Sequence, residues 1–257
     1  MTRRLSAALA AAILTVAIAA CGSADSGGGG EHGDLVVSAA SSLADAFPAY
    51  ARSLDGTVRF QFAGSDELAA QIGQGVKPDV FAAASPSFPE QLHAEGLVGK
   101  PVAFATNQLV LAVPMRSDRV YGLADLARAG TTIAIGSAAV PIGAYTREVL
   151  GRLGAARAAA ILANVRSEEP DVKGIVGKLM QGAVDAGFVY QSDVQAAGGQ
   201  LRGLLLPARL RPRVVYEAAV VTGAPHPGRA RAFVAGLLGG DAQAALHQAA
   251  FGAPPGR

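Results

Sequence analysis

The sequence predicts an α/β protein in which helices flank the sheets, and three observations carry that prediction. From Asp34 onward, short apolar runs alternate with longer amphipathic ones, the pattern of mainly parallel sheets with helices on both faces. The chain has 257 residues and no sustained internal repeat, room for one large or two modest domains. Two long extended runs, Val102–Val113 and Arg213–Val221, are suited to crossing between lobes. The arrangement that fits is one lobe from residues 34–111 and 216–257 and a second from 112–215.

The amino terminus stands apart from this domain. Arg3 and Arg4 precede an apolar stretch that is too short and too weakly flanked for a membrane span, so residues 1–20 read as a signal peptide. The stretch ends Ile18-Ala19-Ala20-Cys21-Gly22, which resembles the lipobox of bacterial lipoproteins and implies lipidation at Cys21. A plain secretory signal with a chance cysteine is the alternative. Cys21 is the chain's single cysteine, which excludes an internal disulfide and any cysteine metal cluster. Residues 21–33 include four consecutive glycines and are expected to act as a tether. The expected location is extracytoplasmic, lipid-anchored to the cell membrane.

The strands predicted in order are Leu35–Ala39, Val58–Phe62, Val80–Ala84, Gln108–Val113, Thr132–Ile135, Ala186–Tyr190, Leu204–Leu206 and Val214–Val221. The helices predicted between them are Ser42–Ala51, Ser65–Gln74, Phe88–Glu95, Leu123–Ala127, Ile142–Arg152, Ala155–Asn164, Val172–Gln181 and Ser192–Ala196. Gly228–Leu238 and Asp241–Phe251 close the chain as helices. Ligands of such folds gather past the carboxyl ends of the strands, at strand-to-helix corners.

Charged residues make up 16% of the chain and the net charge is +2, with no basic block or acidic tail. A nucleic-acid partner is therefore not expected. No Gly-x-Ser-x-Gly elbow, dinucleotide fingerprint or phosphate loop is present. His32, His93, His226 and His247 are scattered without metal-ligand spacing and read as surface residues. Glu168, Glu169 and Asp171 precede a helix, where negative charge complements its dipole.

Two corners stand out. Ser42 follows the first strand and Ser65 the second, each at a predicted helix start. Taken singly, each is an ordinary helix cap. Facing each other, they would offer hydroxyls and unpaired N–H groups to an anion. Val172 on its own reads as core, and Tyr190 as a ring closing a core with its hydroxyl toward water.

Four segments together resemble the molybdate-binding protein family, extracytoplasmic receptors of ABC importers. They are Ala39-Ala40-Ser41-Ser42-Leu43; Phe62-Ala63-Gly64-Ser65 with Leu68-Ala69 and Gln71-Ile72; Val140 through Glu148; and Asp171-Val172-Lys173-Gly174 followed by Gly187 through Asp193. The resemblance runs from about Asp34 to the carboxyl terminus. It implies a two-lobed, type II periplasmic-binding-protein fold with molybdate, and also tungstate, in the cleft. It points to Ser42 and Ser65 from one lobe and to Ile142, Val172 and Tyr190 from the other. Ile142 and Val172 would contribute backbone N–H groups only. The metal would be held through its oxygens alone, with no cofactor and no catalytic residue. An ABC permease with its ATPase is the implied partner, and a monomer is expected. Ile142 stands where the family usually has a small residue, Gly64 where a serine is common, and Ser85 where an acid or amide is frequent.

The chemistry is coherent. Molybdate is a tetrahedral dianion with no proton to donate, so it needs donors only. Hydrogen bonds to a charged acceptor contribute roughly 1.5–3 kcal/mol each, enough in number to offset its desolvation. Lys173 and Arg147 are expected to point outward. The alternatives are a receptor for another small anion or an organic ligand, an extracytoplasmic α/β enzyme, and a purely structural lipoprotein.

Overall fold

The computed structural model describes residues 33–256. The expected signal peptide, Cys21, His32 and all of the tether but Gly33 lie outside the described residues. The predicted strand Leu35–Ala39 forms as β1 (Leu35–Ala40), with Leu35, Val37 and Ala39 fully buried. It is flanked on both sides by parallel partners, β2 (Val58–Ala63) and β3 (Val80–Ala83). β4 (Val102–Asn107) and β10 (Val214–Val220) complete this sheet in the order β2-β1-β3-β10-β4. The second sheet comprises β5 (Leu109–Pro114), β6 (Ile133–Gly136), β7 (Val165–Glu169), β8 (Ala186–Tyr190) and β9 (Leu201–Leu205), ordered β7-β6-β8-β5-β9. The result is the expected two-lobed α/β fold.

Both sheets are mixed rather than mainly parallel. Within the two sheets, every antiparallel pairing of the named strands involves β5 or β10. These are the strands that follow directly on a passage from one sheet to the other, and they enter running against their neighbours. The first passage is made at Gln108, between β4 and β5, and the second across residues 206–213. The boundaries set at 111/112 and 215/216 thus fall inside β5 and β10, because an apolar strand gives no local sign of which sheet it will join.

The helices are α1 (Ala46–Ala51), α2 (Ser65–Gly73), α3 (Ser87–Ala94), α4 (Pro141–Arg152), α5 (Ala155–Leu162), α6 (Val172–Met180), α7 (Gln191–Ala196), α8 (Pro227–Gly236) and α9 (Gly240–Gln248). The predicted helix Ser42–Ala51 is broken: Ser41–Leu43 is a 3₁₀ turn, and α1 starts only at Ala46. β7 was not predicted, since Val-Arg-Ser-Glu-Glu has only one apolar residue. It survives as an edge strand whose exposure alternates along its length.

Phe47 on α1 packs against Phe60, Phe104 and Phe233, joining β2, β4 and α8 in the core of the first lobe. Each such buried ring contributes roughly 1.5–3 kcal/mol. Five strand ends feed directly into the elements that matter next. β1 leads to the 3₁₀ turn, β2 to α2, β6 to α4, β7 to α6 and β8 to α7. Their corners all lie at strand carboxyl ends.

Candidate functional site

Those five corners enclose one small cavity of about 20 Å³. Ser42 and Ser65 line it from the first lobe, and Ile142, Val172 and Tyr190 from the second. The structure therefore brings all five residues singled out in the sequence to one place. As it stands the cavity admits little more than one water-sized group, far short of the roughly 300–1,000 Å³ of an organic-ligand site. A groove of about 720 Å³ also exists, but residues of the first lobe alone line it, so the two lobes do not close over it.

The two serines are not helix caps. Ser42 lies inside the 3₁₀ turn, and its Oγ is 2.8 Å from the Tyr216 hydroxyl on β10. Ser65 is the first residue of α2 and Gly64 is the cap residue; Ser65 Oγ accepts the Ala84 N–H at 3.1 Å. Both hydroxyls are buried. A backbone or phenol partner presented by a neighbouring strand captures each one, where the sequence suggested the helix's own N–H groups.

The second lobe supplies donors differently. Pro141 opens α4 and has no N–H, so Ile142 carries the first amide proton of that helix. Asp171 caps α6: its Oδ1 accepts from Lys173 N at 2.7 Å and Gly174 N at 3.1 Å. Val172, at the first helical position, stands beside that cap with its N–H free of an acceptor inside the helix. Asp171 also lines the cavity, a carboxylate that the sequence reading did not expect there. Its oxygen is directed into the first turn of α6, where the dipole favours it.

Tyr190 ends β8 and is fully buried, and its hydroxyl has no hydrogen-bond partner among the described residues. Burial holds this phenol well above its ordinary pKa of 10, reinforced by Tyr216, Tyr145 and Asp193. Its ring meets that of Tyr216 edge-on, with centroids 6.0 Å apart, across the two lobes. Asp193 on α7 accepts the Tyr190 N–H at 3.1 Å and so fixes the strand end. Burial raises Asp193 from 3.8 to about 6, against the lowering effect of Lys173.

Among the described residues, no lysine or arginine lines the cavity. Arg147 turns back to the Gly136 and Gly143 carbonyls and to Glu168. Lys173 does not simply point outward, as expected. It reaches across to Asp45 of the first lobe at 3.2 Å and toward buried Asp193 at 3.6 Å. Gly64 marks a close approach of the lobes: a Cβ there would lie 2.7 Å from the Pro170 carbonyl on the other side. Ser41, another buried hydroxyl in the lining, was passed over in the sequence because Ser42 beside it carried the resemblance. Tyr216 was missed because, inside an apolar strand, it reads as core.

Two lobes joined by two passages, with a small polar cavity at facing strand ends, are the architecture of a solute receptor. The model of the bacterial extracellular solute-binding proteins matches residues 35–252, and the chain belongs to that family. A molybdate-binding protein ModA of Mycobacterium bovis is 34% identical over 97% of this chain and 98% of its own length. The protein of the same name from Mycobacterium tuberculosis gives the same figures. The likeness to molybdate-binding proteins thus extends well beyond four segments. Among solved structures, the Azotobacter vinelandii periplasmic molybdate-binding protein superposes with a TM-score of 0.77 at 23% identity, covering 86% of this chain and 99% of that one. The sulfate-binding protein SubI of Mycobacterium tuberculosis gives 0.73 at 18%, covering 86% of each chain. These two structural matches establish the fold. No helix among the described residues is long and apolar enough to cross a membrane.

Proposed function

We propose that this protein is the substrate-binding component of a molybdate ABC importer. It captures the oxyanion outside the cytoplasm and delivers it to a membrane permease and its ATPase. The observation that carries this reading is the donor set. The Ser42, Ser65 and Tyr190 side chains, and the starts of α4 and α6 at Ile142 and Val172, line one 20 Å³ cavity whose described lining holds no lysine or arginine. A dianion without protons can accept from all of them. Tungstate, similar in charge and shape, is expected to bind nearly as well. The names of the mycobacterial relatives support the assignment.

Native mass spectrometry with molybdate, sulfate and phosphate tests it. One retained molybdate per chain, with sulfate and phosphate lost at matched concentration, is the expected result. Retention of sulfate in preference to molybdate would overturn the assignment. Lipid attachment at Cys21 and a monomeric receptor belong to the same reading. Membrane fractions should release the chain when Cys21→Ser is introduced, and the lipidated form should carry an added acyl mass.

A further inference from the structure

We propose that Tyr216 is a positioning residue for the anion site: its hydroxyl donates to Ser42 Oγ, so that the Ser42 proton points into the cavity. The proposal rests on the assignment of Ser42 as a ligand to molybdate. A serine hydroxyl has one proton and two acceptor sites. If Ser42 gave its proton to Tyr216, it would present the anion with lone pairs alone and repel it. Geometry leaves the direction of the 2.8 Å bond open, since either oxygen can donate. The surroundings decide it.

Tyr216 does not line the cavity, so its own proton has no destination there. It is fully buried and closed in by edge-on contacts with Phe104, Phe251 and Tyr190. The Asn107 side chain, a further polar neighbour of the phenol, donates through Nδ2 to Ser192 Oγ at 2.9 Å. The Asn107 Oδ1 is already engaged by the Gln108 N–H at 2.8 Å. Ser42 Oγ, at 2.8 Å, is the partner within hydrogen-bond reach of the phenol, and a ligand without protons needs Ser42 to keep its own proton for it, so Tyr216 donates. The Ser42 proton then has only the cavity to face.

Ser65 shows the same device in a form that cannot reverse. Its Oγ accepts a backbone N–H, from Ala84, and an amide never accepts through its nitrogen. Each serine thus accepts one hydrogen bond from within the first lobe, and its own proton is left for the ligand. Tyr216 is the side-chain counterpart of the Ala84 amide.

A double-mutant cycle read by calorimetry tests this. Tyr216→Phe keeps the ring and removes the hydroxyl; it is expected to weaken molybdate about tenfold in the native background. In a Ser42→Ala background the same change is expected to cost less than about twofold, because the group it orients is gone. Equal losses in both backgrounds, or none in the native one, would overturn the proposal. If Ser42→Ala alone leaves molybdate binding intact, the assignment of Ser42 as a ligand fails instead, and the proposal fails with it. A second variant guards against a folding defect: 3-fluorotyrosine at position 216 is a stronger donor and a weaker acceptor in the same shape. Affinity that holds or rises supports donation by Tyr216, and affinity that falls means that Ser42 is the donor.

Discussion

Tyr190 separates binding from stability at the scale of a single residue. Its hydroxyl is buried with no partner on the described chain, a burden of about 1–3 kcal/mol on the ligand-free protein. Tyr190→Phe should therefore leave the apo protein as stable as before or up to about 2 kcal/mol more so, while weakening molybdate at least about tenfold. Chemical denaturation and titration calorimetry on the same sample check both halves. Ser65→Ala should behave oppositely in stability, since it strips the buried Ala84 N–H of its acceptor at a cost of about 1 kcal/mol or more. The positions of these residues were legible in the sequence, because a corner between an apolar and an amphipathic run is a local pattern. Their hydrogen-bond partners were not. Tyr216 lies 174 residues from Ser42 and Ala84 lies 19 from Ser65, distances that only the folded sheet closes.

Among the elements, the first turns of α2, α4 and α6 face one another across the lobes. How near they come is set by residues without functional side chains. Gly64, the residue before α2, leaves room for the Pro170 carbonyl before α6. Gly143 in α4 likewise lets that helix sit against the Ser137 carbonyl after β6. A side chain at 64 must push the lobes apart. Gly64→Ser should lower molybdate affinity at least about tenfold while leaving the melting temperature of the apo protein nearly unchanged, since the site is a lobe contact and not a core position. An unaltered affinity would mean that the lobes can close with a wider gap. Helix starts were readable from Ser65, from Pro141 and from the Asp171 cap. The edge strand β7 was hidden because an edge with one wet face needs few apolar residues. The mixed direction of the sheets was hidden because pairing is a property of two distant segments.

Over the whole molecule, protonation tests the absence of ionisable ligands. Asp193 holds its proton up to about pH 6 in the folded chain, against an ordinary 3.8. Between those values the folded state binds more protons than the unfolded state. Stability therefore falls as pH rises through that window, by at most about 1.4 kcal/mol per pH unit, and the Asp193 contribution is flat above it. Asp193→Asn should remove that slope in urea titrations repeated from pH 4 to 7. Molybdate affinity, by contrast, should be level from about pH 7 to 9. Tyr190 and Tyr216 keep their protons well above that range, and Asp193 is ionised throughout it.

The central claim is that a cage of neutral donors between two lobes takes the larger tetrahedral dianions, molybdate and tungstate, in preference to sulfate and to protonated phosphate. Titration calorimetry at pH 8 with molybdate, tungstate, sulfate and phosphate tests it most directly. The account predicts tight one-to-one binding of molybdate, tungstate close behind, and sulfate and phosphate weaker by at least about a hundredfold, or about 2.8 kcal/mol. Phosphate or sulfate binding as tightly as molybdate, or no heat with any of the four, would contradict it.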